Sequence, residues 1–469
     1  MSLLENDLAG REWIRVGDCY HVTKKPRELD RFAVAEIPFA AMDAIPQDGT
    51  YSAMFTAKPP GAIASGTYFE RGDLLVAKIT PSFENGKQAL ALDMSAPFGY
   101  ATTEVIPLHP REARHDPRLL FFYLLHPDVR HHVAERMEGT TGRQRVPENV
   151  LLDLPMPAFD ADEQTGIADA LEAIRRASAA ESECEKTAYG LKRAAMRELF
   201  TRGLKSEAQK ETEIGPVPES WQIVALDECS LVQTGAAKGR KFGDAEVVET
   251  PYLRVANVQD GRLDLTEVKT IRIRRAEIER YRLHNDDVVL TEGGDFDKLG
   301  RGFIWRGQLA LCIHQNHVFA VRTDRDRLLP EFFAYQAQCP YGKAYFLKVA
   351  HKTTNLACIN STKLKAFPVL LPTLPEQREI VAILDAIDRK IELHRKKRAV
   401  LDELFKALLH KLMTGEIRVA DLNLSALDHP AAGSTVIPAQ AGIQGPVAEA
   451  VALDPRLRGG DENDVEAAQ

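Results

Sequence analysis

The 469-residue sequence has six cysteines, no Cys-x-x-Cys pair and no long apolar run. A membrane helix needs about 18 or more apolar residues, and a zinc ribbon needs closely spaced pairs of cysteines. Residues 1–13 contain acidic side chains and no apolar stretch, so we expect no signal peptide. Because disulfides belong to oxidising compartments, these absences predict a cytoplasmic protein with reduced thiols and no membrane partner.

Catalytic and cofactor-binding motifs are absent as well. The sequence has no GxxxxGK[ST] phosphate loop, no GxGxxG that opens a helix after a strand, and no Asn-Pro-Pro-aromatic motif of adenine methyltransferases. Cys312, His314 and His317 have a spacing similar to that of metal ligands, but two or three such residues cannot close a tetrahedral site. We therefore predict no catalytic residues, no metal and no directly bound cofactor.

Charge is distributed unevenly along the chain, whose formal net charge is −8. Residues 221–375 carry 22 basic and 18 acidic side chains, a net of +4, whereas residues 1–155 carry 17 and 21, a net of −4. A mildly basic domain is compatible with phosphate contact without establishing it. Residues 421–469 have eight acidic and two basic side chains, and beyond residue 424 they lack periodicity. This composition predicts a disordered acidic tail.

A long helix is predicted over residues 374–414. Its apolar side chains recur at alternating steps of four and three, which is the seam of a coiled coil. Pro375 suits an early helix position, and Gly415 stands where such a helix stops. At 1.5 Å per residue, about 40 residues form a rod of about 60 Å. The apolar seam residues are Ile380, Leu384, Ile387, Ile391, Leu401, Phe405, Leu408 and Leu412.

The second half of the sequence repeats the first. A shift of 213 positions (117 to 330) pairs Pro117 with Pro330 and, without a gap, Glu163-Gln164 with Glu376-Gln377. Self-similarity at a fixed period indicates a repeated structural unit. Each half therefore contains a mixed α/β domain followed by a long helix. The seam of the first helix is formed by Ile167, Leu171, Ile174, Leu191 and Leu199.

These patterns predict tandem α/β (α+β) domains, each followed by a long helix, with the two helices paired as an antiparallel coiled coil. A short linker holds the second domain near the far end of the first helix, so the second helix must run back along the first. We expect a dumbbell with a weak first seam, because Ser178, Glu181 and Glu185 occupy seam positions. The predicted segments are domain 1 (1–158), helix 1 (159–204), linker (205–220), domain 2 (221–374), helix 2 (375–420) and tail (421–469).

Several stretches resemble the DNA-specificity subunit of type I restriction–modification systems. Residues 372–414 (PTLPEQREIVAILDAIDRKIELHRKKRAVLDELFKALLHKLMT) are similar to its closing conserved region. Residues 251–261 (PYLRVANVQDG), 287–302 (DVVLTEGGDFDKLGRG) and 312–322 (CIHQNHVFAVR) are similar to its target-recognition domain. Residues 72–87 (GDLLVAKITPSFENGK) and 139–147 (GTTGRQRVP) resemble another variant of that domain. The resemblance covers roughly residues 10–420.

The resemblance implies a function and a set of partners. Each α/β domain would be a target-recognition domain that reads one half of a split, asymmetric site in double-stranded DNA. The paired helices would act as a spacer and would dock two methyltransferase (M) subunits, with a restriction/translocase (R) subunit joining for cleavage. S-adenosylmethionine, ATP and Mg are then expected on those partner subunits. The two domains are of different subtypes, which implies half-sites of different sequence.

Candidate DNA contacts combine basic and amide side chains on loops, because Arg and Lys can bridge guanine while Asn and Gln can bridge adenine. Domain 1 offers Lys78, Ser82, Asn85, Lys87, Arg143, Gln144 and Arg145. Domain 2 offers Lys238, Arg240, Lys241, Arg254, Asn257, Lys298, Arg301, Gln315, Asn316, His317, Lys352, Thr353, Thr354 and Asn355. The alternative is that half or more are turns or phosphate contacts, and that Arg254 and Asn257 cap a strand.

Two further alternatives stay open at this point. In the first, the chain is a coiled-coil scaffold whose two domains bind proteins instead of DNA. In the second, it is a self-contained restriction enzyme, which the missing motifs disfavour. The basic run at 389–398 is ordinarily a solvated helix face. Antiparallel packing would place it near Glu181, Glu183 and Glu185, so pairing with these acidic residues is favoured over contact with DNA.

Overall fold

The structure, a computed structural model, describes residues 3, 12–47, 49–140, 142–239, 242, 246–294, 296–352 and 357–422. These residues divide into two compact units. The first unit contains the described residues up to Glu183 together with those from His394 onward, and the second contains Cys184 to Leu393. Across the described ranges, no helix is both long enough and apolar enough to cross a membrane.

The first unit is built on two small sheets and a group of short helices. Its strands are β1 (Trp13–Arg15), β2 (Tyr20–Val22), β3 (Ile37–Ala40), β4 (Thr56–Lys58), β5 (Thr67–Glu70), β6 (Leu74–Ala77), β7 (Gln88–Leu90), β8 (Phe98–Ala101), β9 (Val105–Pro110), β10 (Glu138–Thr140), β11 (Arg143–Arg145) and β12 (Pro155–Pro157). Its helices are α1 (Val16–Cys19), α2 (Pro117–Leu125), α3 (Pro127–Ala134), α4 (Glu148–Leu152) and the start of α5 (Ala161–Arg202). Short 3-10 turns cover Arg31–Ala33, Met42–Ala44, Pro60–Ala62 and Val419–Asp421.

The two sheets of the first unit have the strand orders β2-β9-β6-β7 and β4-β3-β8-β5. In the second of these sheets β3 and β8 run parallel. Strand β6 is buried along its whole length, as its unbroken apolar run predicts. Pro117 and Pro127 open α2 and α3, where the missing N–H costs nothing. The buried side chains of α2 pack into the same core as β6.

The second unit contains the same kinds of element. Its strands are β13 (Gln209–Lys210), β14 (Val217–Pro218), β15 (Gln222–Ala225), β16 (Ser230–Thr234), β17 (Val247–Leu253), β18 (Val258–Gln259), β19 (Arg262–Leu263), β20 (Lys269–Arg274), β21 (Val288–Thr291), β22 (Gly293–Gly294), β23 (Gly302–Ile304), β24 (Ile313–His314), β25 (Val318–Thr323), β26 (His351–Lys352), β27 (Ala357–Cys358) and β28 (Pro368–Leu371). Its helices are α6 (Ile278–Tyr281), α7 (Pro330–Gln338), α8 (Pro340–Val349), α9 (Ser361–Lys365) and the start of α10 (Leu374–Thr414). Short 3-10 turns cover Leu226–Glu228, Val255–Asn257, Arg275–Glu277 and Phe296–Lys298.

The internal repeat holds at the level of elements. Helices α2, α3 and α4 start at residues 117, 127 and 148, and α7, α8 and α9 start 213 positions later at 330, 340 and 361. The sheet order β2-β9-β6-β7 recurs as β16-β25-β21-β23, and the parallel pair β3–β8 recurs as β17–β24. The two units therefore share the four-stranded sheet order and the parallel pair, and the predicted fold class of tandem α/β domains, each followed by a long helix, is confirmed.

Segments of α5 and α10 pair within each unit. In the first unit Ser178 Oγ donates a hydrogen bond to Asp402 Oδ1 (2.8 Å), and His394 Nδ1 lies 2.5 Å from Glu181 Oε2. The partner number falls as the α5 number rises, so the segments are antiparallel, as predicted. In the second unit Lys192 Nζ lies 2.7 Å from Asp388 Oδ1, and a Cβ at Gly203 would lie 3.2 Å from Glu376 Oε1, so the sense there is also antiparallel.

The predicted seams are buried. Every seam residue of both helices is buried except Leu191 and Leu401, which are partly buried. Two of the polar seam positions of α5 have partners on α10, because Ser178 binds Asp402 and Glu181 also lies 3.6 Å from Lys397 Nζ. The predicted pairing of the basic run with acidic residues is therefore confirmed for Lys397. Gly415, with φ +71°, ends α10 as the sequence predicts.

One segment differs from its prediction. The expected linker, 205–220, contains the antiparallel ladder β13–β14. Thr212 and Gly215 close its turn by exchanging backbone hydrogen bonds of 3.2 Å, and Gly215 has the positive φ that favours glycine. Two-residue strands leave too short a pattern to recognise in a sequence. The predicted tail lies outside the described residues from position 423 onward.

Candidate nucleic-acid interface

In the first unit, several predicted DNA contacts come together beside the β10–β11 hairpin. The chain leaves β6 and runs along β11, where Thr80 N–H donates to the Gln144 carbonyl (3.0 Å) and Val146 N–H donates to the Lys78 carbonyl (2.8 Å). An isolated bridge joins Ile79 to Arg145. Lys78, Gln144 and Arg145 therefore share one edge of the unit. Arg143 lies two residues before Arg145 on the same strand and is exposed.

Arg145 is held by a carboxylate that the sequence did not single out. Its Nε donates to Glu104 Oε2 (2.8 Å) and its Nη2 donates to Glu104 Oε1 (2.7 Å). These hydrogen bonds hold the pKa of Glu104 below its usual range, against a smaller opposing effect of burial. The side chain of Arg145 is 50% exposed, and that of Glu104 is 23% exposed. The pair is thus fixed at the surface rather than enclosed in the core.

The other candidates of the first unit belong to the loop between β6 and β7. Lys87 Nζ donates to the Met42 carbonyl (2.8 Å), and the Lys87 N–H donates to the Ser82 carbonyl (3.0 Å). Asn85 is exposed and precedes Gly86, whose φ of +75° makes a tight turn. The turn explanation therefore describes this loop well. Contact of Ser82, Asn85 and Lys87 with DNA stays a prediction.

The second unit builds the equivalent edge from equivalent elements. Strand β22 pairs with β27, and β27 pairs with β26, so Lys352 joins the edge that contains Gly293 and Gly294. His317, which directly precedes β25, lies at the same edge, because Glu292 N–H donates a hydrogen bond to the His317 carbonyl (2.9 Å). His317 Nδ1 also lies 2.5 Å from Glu292 Oε2. Gln315 and Asn316 immediately precede this pair.

Other predicted contacts of the second unit are engaged in local structure. Asn257 is 3% exposed, and its amide donates to the carbonyls of Asp264 (2.8 Å) and Glu267 (3.0 Å). It also accepts from Arg254 N–H (3.0 Å), so the capping explanation describes both residues. Arg301 Nη1 donates to Gln259 Oε1 (3.2 Å).

The remaining candidates of the second unit are only partly covered by the structure. Lys238 is exposed on its loop, and Lys298 is half-buried, with its Cβ 3.3 Å from where a Cβ on Gly294 would lie. DNA contact by either residue stays a prediction. Five predicted contacts lie outside the described residues: Arg240, Lys241, Thr353, Thr354 and Asn355.

The cysteine–histidine spacing does not assemble a metal site. His314 is fully buried, its Nδ1 lies 2.6 Å from the Val318 carbonyl, and burial lowers its pKa to about 4. Cys312 is also buried, and burial raises the pKa of its thiol to about 12, which disfavours the thiolate that binds metals. His317 pairs with Glu292 instead.

A second group with metal-binding side chains occurs in the first unit. Ligand atoms of His126, Asp128 and His410 lie within 4.8 Å of one another. However, Asp128 N–H donates to His126 Nδ1 (3.2 Å), so the ring proton is on Nε2 and points to His410 Nδ1 (3.1 Å). A neutral imidazole in this tautomer has no Nε2 lone pair for a metal. The group is therefore a hydrogen-bonded histidine pair.

Sequence reasoning missed Glu104 and the pairing role of Glu292. One signal is present: a shift of 213 positions aligns Glu104 with His317, a predicted DNA contact of the second unit (104 to 317). The same shift aligns Arg145 with Cys358, whereas the strand registers place Lys78 in the position of Glu292, one residue off the shift. Applying the repeat to single positions would have pointed to Glu104.

The comparisons with known proteins agree with this architecture. A family model described as "Type I restriction modification DNA specificity domain" matches residues 218–403. The putative type I restriction enzyme MjaX specificity subunit of Methanocaldococcus jannaschii is 28% identical over 213 residues, which are 45% of this chain and 49% of that protein. This chain thus spans about half the length of that relative. The MjaVIII specificity subunit of the same organism is 24% identical over 335 residues, 69% of this chain and 76% of that protein.

A solved structure gives the same result for the fold. The type I restriction–modification system S subunit from M. genitalium superposes with a TM-score of 0.51 at 13% identity, over 88% of this chain and 99% of that chain. The repeated α/β units and the paired long helices agree with this likeness. Residues 218–403 thus match the type I restriction modification DNA specificity domain, and the chain is similar to type I restriction enzyme specificity subunits.

Proposed function

We propose that this chain is the sequence-specific DNA-recognition subunit of a multi-subunit restriction–modification enzyme. One observation carries the proposal: both units build the same edge from equivalent elements but line it with different side chains. Lys78, Glu104 and Arg145 in the first unit correspond to Glu292, His317 and Cys358 in the second, since Lys78 N–H donates to the Glu104 carbonyl as Glu292 N–H donates to the His317 carbonyl. A shared framework with different side chains is what two readers of two different half-sites require.

The chain itself is proposed to be non-catalytic. Its partners would be double-stranded DNA with an asymmetric bipartite site, methyltransferase subunits (two of them) and a restriction/translocase subunit. Those partners would bind S-adenosylmethionine, ATP and Mg and would supply methyl transfer and cleavage. The complex would act in the cytoplasm, where its DNA substrate lies. The edge that each unit presents supports this division, because its side chains are hydrogen-bonding and charged groups suited to base edges and phosphates.

Single-molecule methylation sequencing tests the proposal. Cells that express this chain together with its methyltransferase should carry methylated bases in one bipartite motif, with two specified segments separated by unspecified base pairs. Cells that express the methyltransferase alone should lack that motif. The purified chain alone should transfer no methyl group to DNA. Methylation of the same motif without this chain, or methylation by this chain alone, would contradict the proposal.

A further inference from the structure

We propose that Arg145 reads a guanine in the half-site bound by the first unit, and that Glu104 is the positioning residue that aims it. The inference rests on the proposed function and adds a specific base contact to it. The supporting observation is the Glu104–Arg145 pair itself, which lies on the edge where Lys78 and Gln144 also converge.

The hydrogen bonds of the pair leave one edge of the guanidinium available. Glu104 engages the edge formed by Nε and Nη2, in the paired geometry typical of Arg and carboxylate. Both N–H groups of Nη1 and the second N–H of Nη2 are not part of that contact. These groups form the end of the guanidinium, and they present two parallel donors. The O6 and N7 atoms of guanine in the major groove accept such a pair of donors.

The charge of Glu104 favours a base over a phosphate as the ligand of this arginine. A carboxylate 2.7 Å from Nη2 largely neutralises the guanidinium and repels an approaching phosphate. The edge of a guanine is uncharged, so it meets no comparable repulsion. If the main role of this arginine were to neutralise DNA phosphates, we would expect no carboxylate beside it.

The backbone beneath Arg145 is also fixed before any ligand binds. Arg145 pairs with Glu138 across the hairpin and with Ile79 through the isolated bridge. The next residue, Val146, donates its N–H to Lys78. The other side of the ion pair is anchored as well, because Lys78 N–H donates to the Glu104 carbonyl (2.9 Å). A donor pair that is ordered in advance loses less entropy on binding, and this sharpens discrimination.

The arrangement is specific to the first unit. Glu104 and Arg145 correspond to His317 and Cys358, and His317 instead approaches Glu292. The second unit therefore lacks this arginine–carboxylate pair at the equivalent place. Substitutions at Arg145 and Glu104 should change the preference for one base pair in one half-site, while the other half-site provides an internal control.

The test selects DNA from a library of random duplexes with the full-length chain assembled with its methyltransferase subunits. Arg145→Ala should lower the preference for one G·C pair of one half-site by about 5- to 150-fold, the equivalent of about 1–3 kcal/mol. Arg145→Lys keeps the charge but lacks the fork of donors, so it should lose the same preference. Glu104→Gln should weaken the preference at that base pair without lowering affinity for random DNA, because it removes a negative charge.

Arg15→Ala is the matched control, since Arg15 forms an exposed ion pair with Asp153 in the same unit (3.5 Å). It should leave the selected motif unchanged. If the wild-type complex selects a bipartite motif but Arg145→Ala retains every guanine preference, the guanine contact is wrong and the proposed function stands. Uniform loss of affinity with Arg145→Ala, with a salt dependence reduced by about one phosphate contact, would likewise overturn it. If the wild-type complex selects no motif at all, the proposed function fails first.

Discussion

Two glutamines hold the junction between domain and long helix in the two units. Gln164 Oε1 accepts from Asp116 N–H (3.0 Å) and its amide donates to the Phe159 carbonyl (2.9 Å). Gln377 repeats both contacts, accepting from Leu329 N–H (2.9 Å) and donating to the Pro372 carbonyl (3.1 Å). Both side chains are buried. The repeat therefore preserves a hydrogen-bonding function as well as an apolar pattern.

Replacing Gln377 by leucine should destabilise the second unit by about 2–4 kcal/mol, because a backbone N–H and two carbonyls would be buried without partners. One of those carbonyls belongs to Arg327, which accepts from Gln377 at 2.8 Å. Urea unfolding followed by tryptophan fluorescence measures the loss, since Trp221 and Trp305 are buried in this unit. Gln209→Ala removes an exposed hydrogen bond to Thr201 and should change stability by less than about 0.5 kcal/mol. Equal effects of the two substitutions would refute the argument.

At the level of single residues, the sequence predicted apolar positions better than polar ones. Burial of Leu384 or Ile174 follows from helical spacing alone. The role of Glu104 depends on a side chain that is distant in sequence, that of Arg145. A hydrogen-bond partner 41 residues away leaves no local pattern, so this pairing emerges only from the fold.

Among the elements, α10 has the clearest apolar pattern in the sequence, and its place in the fold explains why. Leu384 and Ile387 are buried in the core of the second unit, and Phe405 and Leu412 are buried in the core of the first. A helix that contributes to a core over its whole length must keep its apolar period throughout. Two-residue strands such as β13 and β22 carry no period, and only pairing with a partner strand defines them.

Leu384→Ala should cost about 2–5 kcal/mol, because it opens a cavity in a close-packed core. The side chain is fully buried, whereas Val400 on the same helix is 67% exposed. Val400→Ala is therefore the matched control and should change stability by less than about 0.5 kcal/mol. Urea unfolding of both variants against the wild type measures the difference. If Val400→Ala were as damaging as Leu384→Ala in the isolated chain, the assignment of the seam would be wrong.

At the scale of the whole molecule, the repeat has kept the framework and varied the recognition edge. Helices α2, α3, α4 and α5 each start 213 positions before α7, α8, α9 and α10, while the residues beside the hairpins differ between the units. The long helices are alike in the two units, whereas the edges differ. This suits a protein in which helix length and base recognition change independently. The arrangement of the two domains along the helices stays a prediction from the sequence.

Changing the length of both helices together tests that prediction. Four helical residues inserted after Arg176 in α5, and four after Glu403 in α10, add about 6 Å to each helix. If the helices set the distance between the recognised half-sites, the unspecified spacer of the methylated motif should lengthen by up to about two base pairs. Methylation sequencing of cells with the altered chain measures the spacer directly. The specified bases should stay the same, because both recognition edges are untouched.

The same insertion made in α5 alone is the control. It shifts one seam against the other and misaligns pairs such as Ser178 with Asp402. A four-residue insertion also departs from the heptad period, so a compensating insertion in α10 is needed to restore the facing residues. The single insertion should therefore reduce methylation, and the paired insertion should restore it with the longer spacer. Restored methylation with an unchanged spacer would show that the helices position the subunits without measuring the DNA.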